Sequence, residues 1–207
     1  MHHYDSYSRT GPKIFVGEYA AQEGRPSPDL NAALGDAAWL IGLERNADLV
    51  ILESYAPMFT NINPGAAQWP TNLIGYDALR SYGSPSYYAK QMLNQHRGDV
   101  VLPTTLNVTG GSEFYESATR DNQTGTIYLK AVNAAGTAQQ VQISIDGLGH
   151  VSGGTATVLS SSSPQDTNTI DEPRKVVPVT LKVNHVNRRF EYTFAPYSVT
   201  VLEIKTK

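Results

Sequence analysis

The sequence predicts an α/β unit followed by an antiparallel β-sandwich, and three patterns support this prediction. Residues 13–20 and 48–55 are short apolar runs, typical of strands that are buried on both faces of a parallel sheet. Between these runs, apolar side chains recur at helical spacing. From residue 100 onward Ser, Thr, Gly and Val dominate, and alternation replaces the helical spacing, as in antiparallel strands.

The first strand carries a carboxylate close to its end. Strand alternation places Glu18 on the same face as Ile14 and Val16, and it places Tyr19 on the opposite face. Active sites of α/β folds lie at the carboxyl ends of their parallel strands. A carboxylate in such a place is catalytic or is paired with a nearby Arg, because an unpaired buried charge is costly. The spacing alone leaves both readings of Glu18 open.

One helix is expected between the two strands. Ser27 is the predicted N-cap and Pro28 the first helical residue, and the helix is expected to end at Asn46. Its Ala-rich face suits close packing on a sheet, and Trp39 is interpreted as a packing anchor. Parallel strands need a crossover connection, so strand, helix and strand together form a β-α-β unit.

A long loop, residues 56–82, is predicted after the second strand. Loops of this length after a parallel strand are usually functional. This one contains Trp69 and Asn72, and an indole ring stacks on a sugar ring while an amide bonds sugar hydroxyl groups. A second helix is expected over residues 85–96, with Gly98 as its stop signal.

The second half is predicted to be a β-sandwich or jelly roll, so the chain divides into residues 1–98 and residues 99–207. Residues 160–173 are predicted to be a polar, mobile loop. We find no Ser, His or carboxylate constellation in this half, so its expected role is structural, with carbohydrate binding as the alternative. The predicted strands are residues 126–132, 140–145, 155–159, 179–183, 189–194 and 198–204.

Composition excludes several kinds of site. The net charge of -3 gives no electrostatic case for nucleic acid or an anionic membrane as a partner. The chain has no cysteine, and among its five histidines only the adjacent pair His2 and His3 has a spacing compatible with zinc, a pair that is interpreted as a solvated end. We therefore expect no metal and no cofactor. Asn107 and Asn122 match the glycosylation sequon, a short motif that often occurs by chance.

Several segments, taken in order, resemble the C-terminal part of the α-L-arabinofuranosidases of glycoside hydrolase family 51. The similarity is specific through residues 4–96 and looser through the sandwich, where residues 194–200 are the most characteristic stretch. The segments that carry it are Gly17-Glu-Tyr-Ala20, the helix 32–46, Ser54-Tyr-Ala-Pro57, Asn63-Pro-Gly65, Gln68–Asp77 and Ser84-Pro-Ser-Tyr-Tyr88.

This resemblance implies a (β/α)8 barrel followed by a β-sandwich, with residues 1–98 as the last part of the barrel. It implies retaining hydrolysis of terminal α-L-arabinofuranosyl groups from polysaccharides such as arabinan and arabinoxylan. It makes Glu18 the catalytic nucleophile. Trp69 and Asn72 then belong to the loop that closes the sugar site, and Tyr19 and Tyr55 are weaker candidates for contact with the substrate.

The chain departs from the family in one decisive respect. A retaining glycosidase needs two carboxylates, and the family's acid/base glutamate lies on a barrel strand well before the nucleophile. Only a short loop precedes the strand of Glu18 here, so the acid/base and about six of the eight barrel strands are expected to be missing. None of the nearby carboxylates replaces it: Glu53 reads as a structural residue, Glu23 as solvated, and Asp77 as a brace within the loop.

The expectation is therefore a fragment that is inactive alone and that exposes strand edges and apolar faces. Residues 1–98 are expected to dock on the sandwich, to pair with another chain, or to aggregate. The sandwich is also expected to lack a strand that the family supplies from upstream. Possible partners are the missing N-terminal barrel portion, or a second copy through self-association. The alternative function is a non-catalytic carbohydrate-binding or assembly module, and an endoglucanase specificity fits the motifs less well.

Overall fold

The computed structural model describes residues 2–22, 28–69, 71–107, 113–147, 149 and 151–206. The described strands form a two-stranded sheet (β1-β2), a three-stranded sheet (β3-β4-β5), a six-stranded sheet (β11-β10-β13-β8-β7-β6) and a second two-stranded sheet (β12-β9). The elements are β1 Ile14–Tyr19, α1 Leu30–Arg45, β2 Val50–Tyr55, β3 Phe59–Asn61, β4 Ile74–Tyr76, β5 Ser81–Gly83, α2 Pro85–Gln95, β6 Val100–Leu102, β7 Phe114–Arg120, β8 Ile127–Asn133, β9 Gln139–Ser144, β10 Val151–Ser160, β11 Val179–Val183, β12 Arg189–Phe194 and β13 Ser198–Thr206.

The predicted β-α-β unit is confirmed, because β1 and β2 are parallel neighbours joined by α1. The prediction that both faces are buried was wrong. Phe15 is 58% exposed, Ile51 58% and Leu52 59%. Helices cover one face of the sheet, whereas nothing in the described ranges covers the face that carries Phe15 and its strand partner Leu52. We refer to this second face as the open face.

Helix α1 begins two residues later than predicted. Asp29 is its N-cap, and the Asp29 side chain accepts a hydrogen bond from the backbone N–H of Ala32 at 2.9 Å. Pro28 therefore precedes the helix, which starts at Leu30. Ser27 lies outside the described residues.

The loop between β10 and β11 completes the N-terminus of this helix. The N–H of Leu30 donates to the carbonyl of Asp166 at 2.9 Å, and the N–H of Asn31 donates to the carbonyl of Pro164 at 2.8 Å. These are donors that a helix cannot satisfy within itself. Asn168, in the same loop, is only 1% exposed. The loop predicted to be mobile is thus tied to α1.

Residues 56–82 are not the single loop that was predicted. They include β3, β4 and β5, which form a small sheet with one parallel and one antiparallel pairing. Asp77 braces the turn between β4 and β5, as predicted, and accepts hydrogen bonds from the N–H groups of Leu79 at 2.8 Å and Arg80 at 2.7 Å. Strands this short cannot be predicted from hydrophobic alternation, because three residues contain barely one alternation.

Helix α2 forms where it was predicted. Ser84 is the N-cap, and its hydroxyl oxygen accepts a hydrogen bond from the N–H of Tyr87 at 3.2 Å. Gly98 has a different role from the expected stop signal, because the helix already ends at His96. A Cβ atom at Gly98 would lie 2.3 Å from the carbonyl carbon of Arg120, so only glycine lets the chain pass this close to β7.

The antiparallel sheets confirm all six predicted strands of the second half. Two further strands, β6 and β7, were missed. Strand β7 has the sequence Phe-Tyr-Glu-Ser-Ala-Thr-Arg, and its small inward residues, Ser117 and Ala118 among them, hide the apolar alternation. No helix among the described residues is long and apolar enough to cross a membrane.

One hydrophobic core spans both halves of the chain. Leu34 and Ile41 of α1 and Met92 of α2 belong to the same buried cluster as Val132 and Val199 of the six-stranded sheet. Both helices therefore dock on one face of that sheet, while the two-stranded sheet β12-β9 packs on its other face. Docking on the sandwich was one of the expected outcomes. Because the core is continuous, the domain boundary near residue 98 stays a prediction.

A buried ion pair crosses this interface. Lys130 of β8 is 2% exposed, and its ammonium group contacts the carboxylate of Glu44 in α1. Ser117 of β7 donates a second hydrogen bond to the same carboxylate at 2.5 Å. Burial lowers the pKa of Lys130, and Glu44 opposes that shift. The sequence analysis did not anticipate this pair.

Candidate functional site

Strand β1 contains an irregularity that decides where Glu18 lies. Val16 pairs with Glu53 and Tyr19 with Tyr55, so three steps along β1 match two steps along β2. The extra residue is the signature of a β-bulge, which redirects the side chains that follow it. Ile14, Val16 and Tyr19 all pack against the helical core, whereas Glu18 is exposed. The predicted shared face of Glu18, Ile14 and Val16 was therefore wrong.

Glu18 is instead on the open face, near the carboxyl end of β1. Phe15 and Gly17 are the other exposed residues of this strand. The carboxylate of Glu18 is therefore accessible, and no residue among those described forms an ion pair with it. The prediction of a functional carboxylate at the end of a parallel strand is thus compatible with the geometry. An Arg partner, the structural alternative, is not observed among the described residues.

Tyr19 and Tyr55 lie together on the helix side of the sheet. Their rings meet edge to face, with 5.4 Å between centroids. The N–H of Ala56 donates to the carbonyl of Tyr19 at 3.1 Å, which joins the ends of the two strands. Because Tyr19 directly follows Glu18 and faces the other way, its ring is buried away from the open face. The geometry gives both tyrosines a packing role and offers no direct support for contact with the substrate.

An ion pair packs against Tyr19. Lys90 of α2 contacts the carboxylate of Glu53 and lies 3.3 Å from the hydroxyl group of Tyr19. Burial raises the pKa of the Tyr19 phenol, and the negative charge of Glu53 adds to the increase. Glu53 therefore has the structural role that the sequence analysis favoured, and Lys90 is the partner that was not foreseen.

A second polar group anchors the end of β2. Asp36 of α1 is 3% exposed, and it accepts hydrogen bonds from the hydroxyl group of Ser86 and from the N–H of Ala21, both at 2.7 Å. Tyr55 bonds the hydroxyl group of Thr71 at 3.1 Å. Burial, with the nearby charge of Asp36, raises the pKa of Tyr55 to about 12, so this phenol stays protonated at neutral pH.

Asp36 should make stability depend on pH. Burial raises its pKa in the folded state, despite the opposing bonds from Ser86 and Ala21. Its stabilising contribution is therefore present below the unfolded pKa and is lost as pH rises through the folded pKa. We expect the unfolding free energy of the natural chain to fall relative to Asp36→Asn as pH rises above 4, measured by urea denaturation. A difference that stays constant from pH 4 to 7 would contradict this.

The predicted sugar-binding loop reaches the same end of the sheet. Asn72 follows Thr71, which is bonded to Tyr55, and Asn72 is 3% exposed. Its side-chain oxygen is buried and has no hydrogen-bond partner. Trp69 is 59% exposed, so its indole ring is available to a ligand. The structure thus brings Asn72 to the strand ends, where the sequence analysis expected it.

The other carboxylates near the strand ends are all engaged elsewhere. Asp77 braces its turn, Glu53 pairs with Lys90, and the buried Asp36 of α1 is bonded to Ser86. Glu23 lies outside the described residues. No group of three or more metal-ligating side chains occurs in the part of the chain that the structure describes. Lys90 and Asp36 were not predicted from the sequence, because the spacing of residues in a helix does not show which strand a given side chain will contact.

The family comparison covers almost the whole chain. The model described as "Alpha-L-arabinofuranosidase C-terminal domain" matches residues 6–198. Among curated proteins, α-L-arabinofuranosidase 1 of Arabidopsis thaliana is 37% identical over 183 residues, covering 86% of this chain and 27% of the relative. The probable α-L-arabinofuranosidase A of Aspergillus flavus is 31% identical over 201 residues, covering 96% of this chain and 30% of the relative.

Solved structures give the same picture. An arabinose-bound MgGH51 α-L-arabinofuranosidase has a TM-score of 0.91 and 33% identity, over 100% of this chain and 34% of that one. The GH51 α-L-arabinofuranosidase of Thermotoga petrophila has a TM-score of 0.79 over 93% of this chain and 43% of its own, and at 20% identity it shows the fold alone. The chain spans about a third of the length of these relatives. It belongs to the α-L-arabinofuranosidase C-terminal domain family and corresponds to the C-terminal portion of the glycoside hydrolase family 51 enzymes.

Proposed function

We propose that this chain supplies the nucleophile of a retaining α-L-arabinofuranosidase, and that the nucleophile is Glu18. The observation that carries the proposal is the bulge in β1, which turns Glu18 onto the open face at the carboxyl end of a parallel strand. In the proposed reaction a carboxylate oxygen of Glu18 attacks the anomeric carbon. The bond to the leaving group breaks, and water then releases arabinose from the glycosyl-enzyme.

Two loop residues are proposed to bind the sugar. The exposed indole of Trp69 offers a face for stacking on a furanose ring. The buried, unpartnered side-chain oxygen of Asn72 would accept a hydrogen bond from a sugar hydroxyl group. An unsatisfied buried acceptor costs about 1–3 kcal/mol, so a ligand that satisfies it gains this amount in affinity. Tyr19 and Tyr55 are assigned a supporting role, because both rings lie on the other side of the sheet.

The acid/base is proposed to come from outside this chain. A retaining enzyme needs its two carboxyl groups about 5–5.5 Å apart. Glu53 and Asp36 are on the helix side of the sheet and are held by Lys90 and Ser86. Neither is placed to donate a proton on the open face beside Glu18. This chain covers 27% and 30% of the two curated relatives, so more than two thirds of each relative lies outside the matched part and can contain a proton donor.

Three features fit an upstream barrel portion as the partner. The first is the β1-β2 sheet: its open face exposes Phe15 and Leu52, and both of its outer edges lack a neighbour among the described strands. A groove of about 590 Å³ runs beside β2 and is lined by β2 and by the ends of both helices. These surfaces suit packing and pairing with further strands and helices. Self-association of the chain through the same face is the competing outcome.

The third feature lies in the sandwich. A slot of about 510 Å³ separates the six-stranded sheet from β9, and the consecutive residues Val141–Ile145 all line it. Since successive residues of a strand face opposite ways, a slot that touches all of them follows the strand edge. Its lining is mainly aliphatic and suits an added strand. A sugar would need more polar groups, so this slot does not favour the carbohydrate-binding alternative.

The proposal is tested by trapping the covalent intermediate. The chain is incubated with a 2-deoxy-2-fluoro arabinofuranoside that has a dinitrophenolate leaving group, which departs without help from an acid. We expect mass spectrometry to find one glycosyl group on the peptide that contains Glu18, with the upstream portion of a relative added if the chain alone does not react. Glu18→Gln is the matched control and should stay unlabelled. A label on another residue, or labelling of Glu18→Gln, would refute the assignment.

A further inference from the structure

Behind Glu18, on the helix side of the sheet, Tyr19 is held by charged groups from two other elements. Lys90 of α2 lies 3.3 Å from the Tyr19 hydroxyl group and 5.6 Å from the centre of its ring. Glu53 of β2 contacts the same ammonium group. The side chain of Lys90 is 19% exposed and that of Glu53 is 23% exposed, so the pair is mostly removed from solvent. This arrangement is more specific than an ordinary surface ion pair, which contributes little.

The bulge makes the position of Tyr19 important for Glu18. A strand with one extra residue can slip its register, and a slip of one position moves each side chain to the other face. In β1 the register is regained at Tyr19, which pairs with Tyr55. Whatever holds Tyr19 on the helix side therefore keeps Glu18 on the open face. Lys90 and Glu53 are the charged groups that hold the Tyr19 side chain from α2 and β2, and Asp36 of α1 is a further negative charge near it.

The Tyr19 anchor is itself well fixed. Helix α2, which carries Lys90, packs on the sandwich core through Met92 and Leu93. Glu53 is on β2, and its second carboxylate oxygen is buried without a partner. An unpaired buried acceptor costs about 1–3 kcal/mol, so the contact with Lys90 is the interaction that compensates the burial of the Glu53 carboxylate. The same contact holds the ammonium group 5.6 Å from the centre of the Tyr19 ring.

We propose that Lys90 and Glu53 are positioning residues, which fix Tyr19 and so hold the bulge that presents Glu18 to the sugar. This inference rests on the proposed role of Glu18 as nucleophile. Neither residue touches the substrate. Lys90 and Glu53 act by fixing Tyr19, and Tyr19 in turn fixes the backbone of β1. Because Lys90 is on α2, the position of Glu18 then depends on how α2 docks.

The test compares Lys90→Met with Lys90→Arg, and Lys182→Met serves as the matched control because Lys182 is an exposed lysine on the distant strand β11. The first readout is amide hydrogen exchange of the peptide that covers residues 14–20. Local opening of β1 in Lys90→Met should raise its exchange rate roughly tenfold or more, while peptides from the sandwich stay unchanged. Lys90→Arg should restore protection, and Lys182→Met should leave it as it was.

The second readout is the rate at which Glu18 is labelled by the fluorinated arabinofuranoside. Misplacement of a reacting group by about 1 Å costs on the order of a hundredfold, so Lys90→Met should slow labelling tenfold or more with little change in the concentration needed for half saturation. Equal exchange of residues 14–20 in Lys90→Met and the natural chain would overturn the positioning role. If Glu18 is never labelled, the nucleophile assignment fails, and the exchange result still decides what Lys90 does to β1.

Discussion

Addition of the upstream portion of an arabinofuranosidase relative should raise the rate at which this chain hydrolyses an alkyl α-L-arabinofuranoside by a factor on the order of 10³ or more. General acid catalysis alone contributes about 10²–10⁴, and the alkyl leaving group depends on it fully. The remaining walls of the site add transition-state stabilisation. The chain by itself offers Glu18 on an open face with no proton donor placed beside it by the described residues.

The leaving group gives this prediction its internal control. A dinitrophenyl arabinofuranoside barely needs the acid, so the gain on mixing should be much smaller for it than for the alkyl glycoside. The mixture that contains Glu18→Gln should stay at background with both substrates. If the chain alone hydrolyses the alkyl glycoside as fast as the mixture does, the acid/base is present in this chain and the proposal is wrong. If Glu18→Gln leaves the mixture active, another residue is the nucleophile.

Replacement of Glu44 by glutamine should cost about 3–5 kcal/mol of unfolding free energy, because it leaves the ammonium group of Lys130 buried without a counter-charge. Lys130 is only 2% exposed, although it and Glu44 line the groove beside β2, so its ammonium group has little contact with solvent. Lys130→Met should cost less, since Glu44 keeps the hydrogen bond from Ser117 and some contact with solvent. The measurement is urea denaturation followed by circular dichroism.

The double variant Glu44→Gln, Lys130→Met separates the charge effect from packing. Buried pairs replaced by neutral groups of similar volume are often as stable as the original, so the double variant should recover most of the loss caused by Glu44→Gln. Glu203→Gln provides the surface comparison, because Glu203 pairs with Lys205 at 3.4 Å in a more exposed setting. It should change the unfolding free energy by about 0.5 kcal/mol or less. A loss of that small size for Glu44→Gln would show that Lys130 reaches solvent.

The sequence predicted the helices and strands of this fold better than it predicted which of their faces are buried. The β-α-β unit and the six strands of the second half follow from period and turn residues, which are local signals. The prediction that both faces of β1 are buried was based on its apolar composition, and it was wrong. Apolar composition shows that a strand favours a packed neighbour, but it does not show whether that neighbour is present. Phe15 and Leu52 are apolar and exposed, which fits the proposed upstream partner.

The site shows the same division. Glu18 was selected from its place at the end of a strand, and that place survives in the structure. Its face was predicted wrongly, because strict alternation cannot foresee one extra residue between Val16 and Tyr19. Lys90, which contacts Glu53 across 37 residues of sequence, left no trace in any local pattern. Contacts of this kind follow from the docking of α2, which is a property of the assembled core.

The hydrogen bonds at the start of α1 have a consequence for how the chain is made. The N–H groups of Leu30 and Asn31 find their acceptors at Asp166 and Pro164, more than 130 residues later in the sequence. Asp29 caps the helix locally, but during synthesis the N–H groups of Leu30 and Asn31 have no access to these two acceptors until the loop after β10 has been made. Contacts of such long range slow folding, and segments made earlier must wait with apolar surface exposed. Full satisfaction of the N–H groups at the start of α1 is therefore a late event, because it requires the loop of the sandwich.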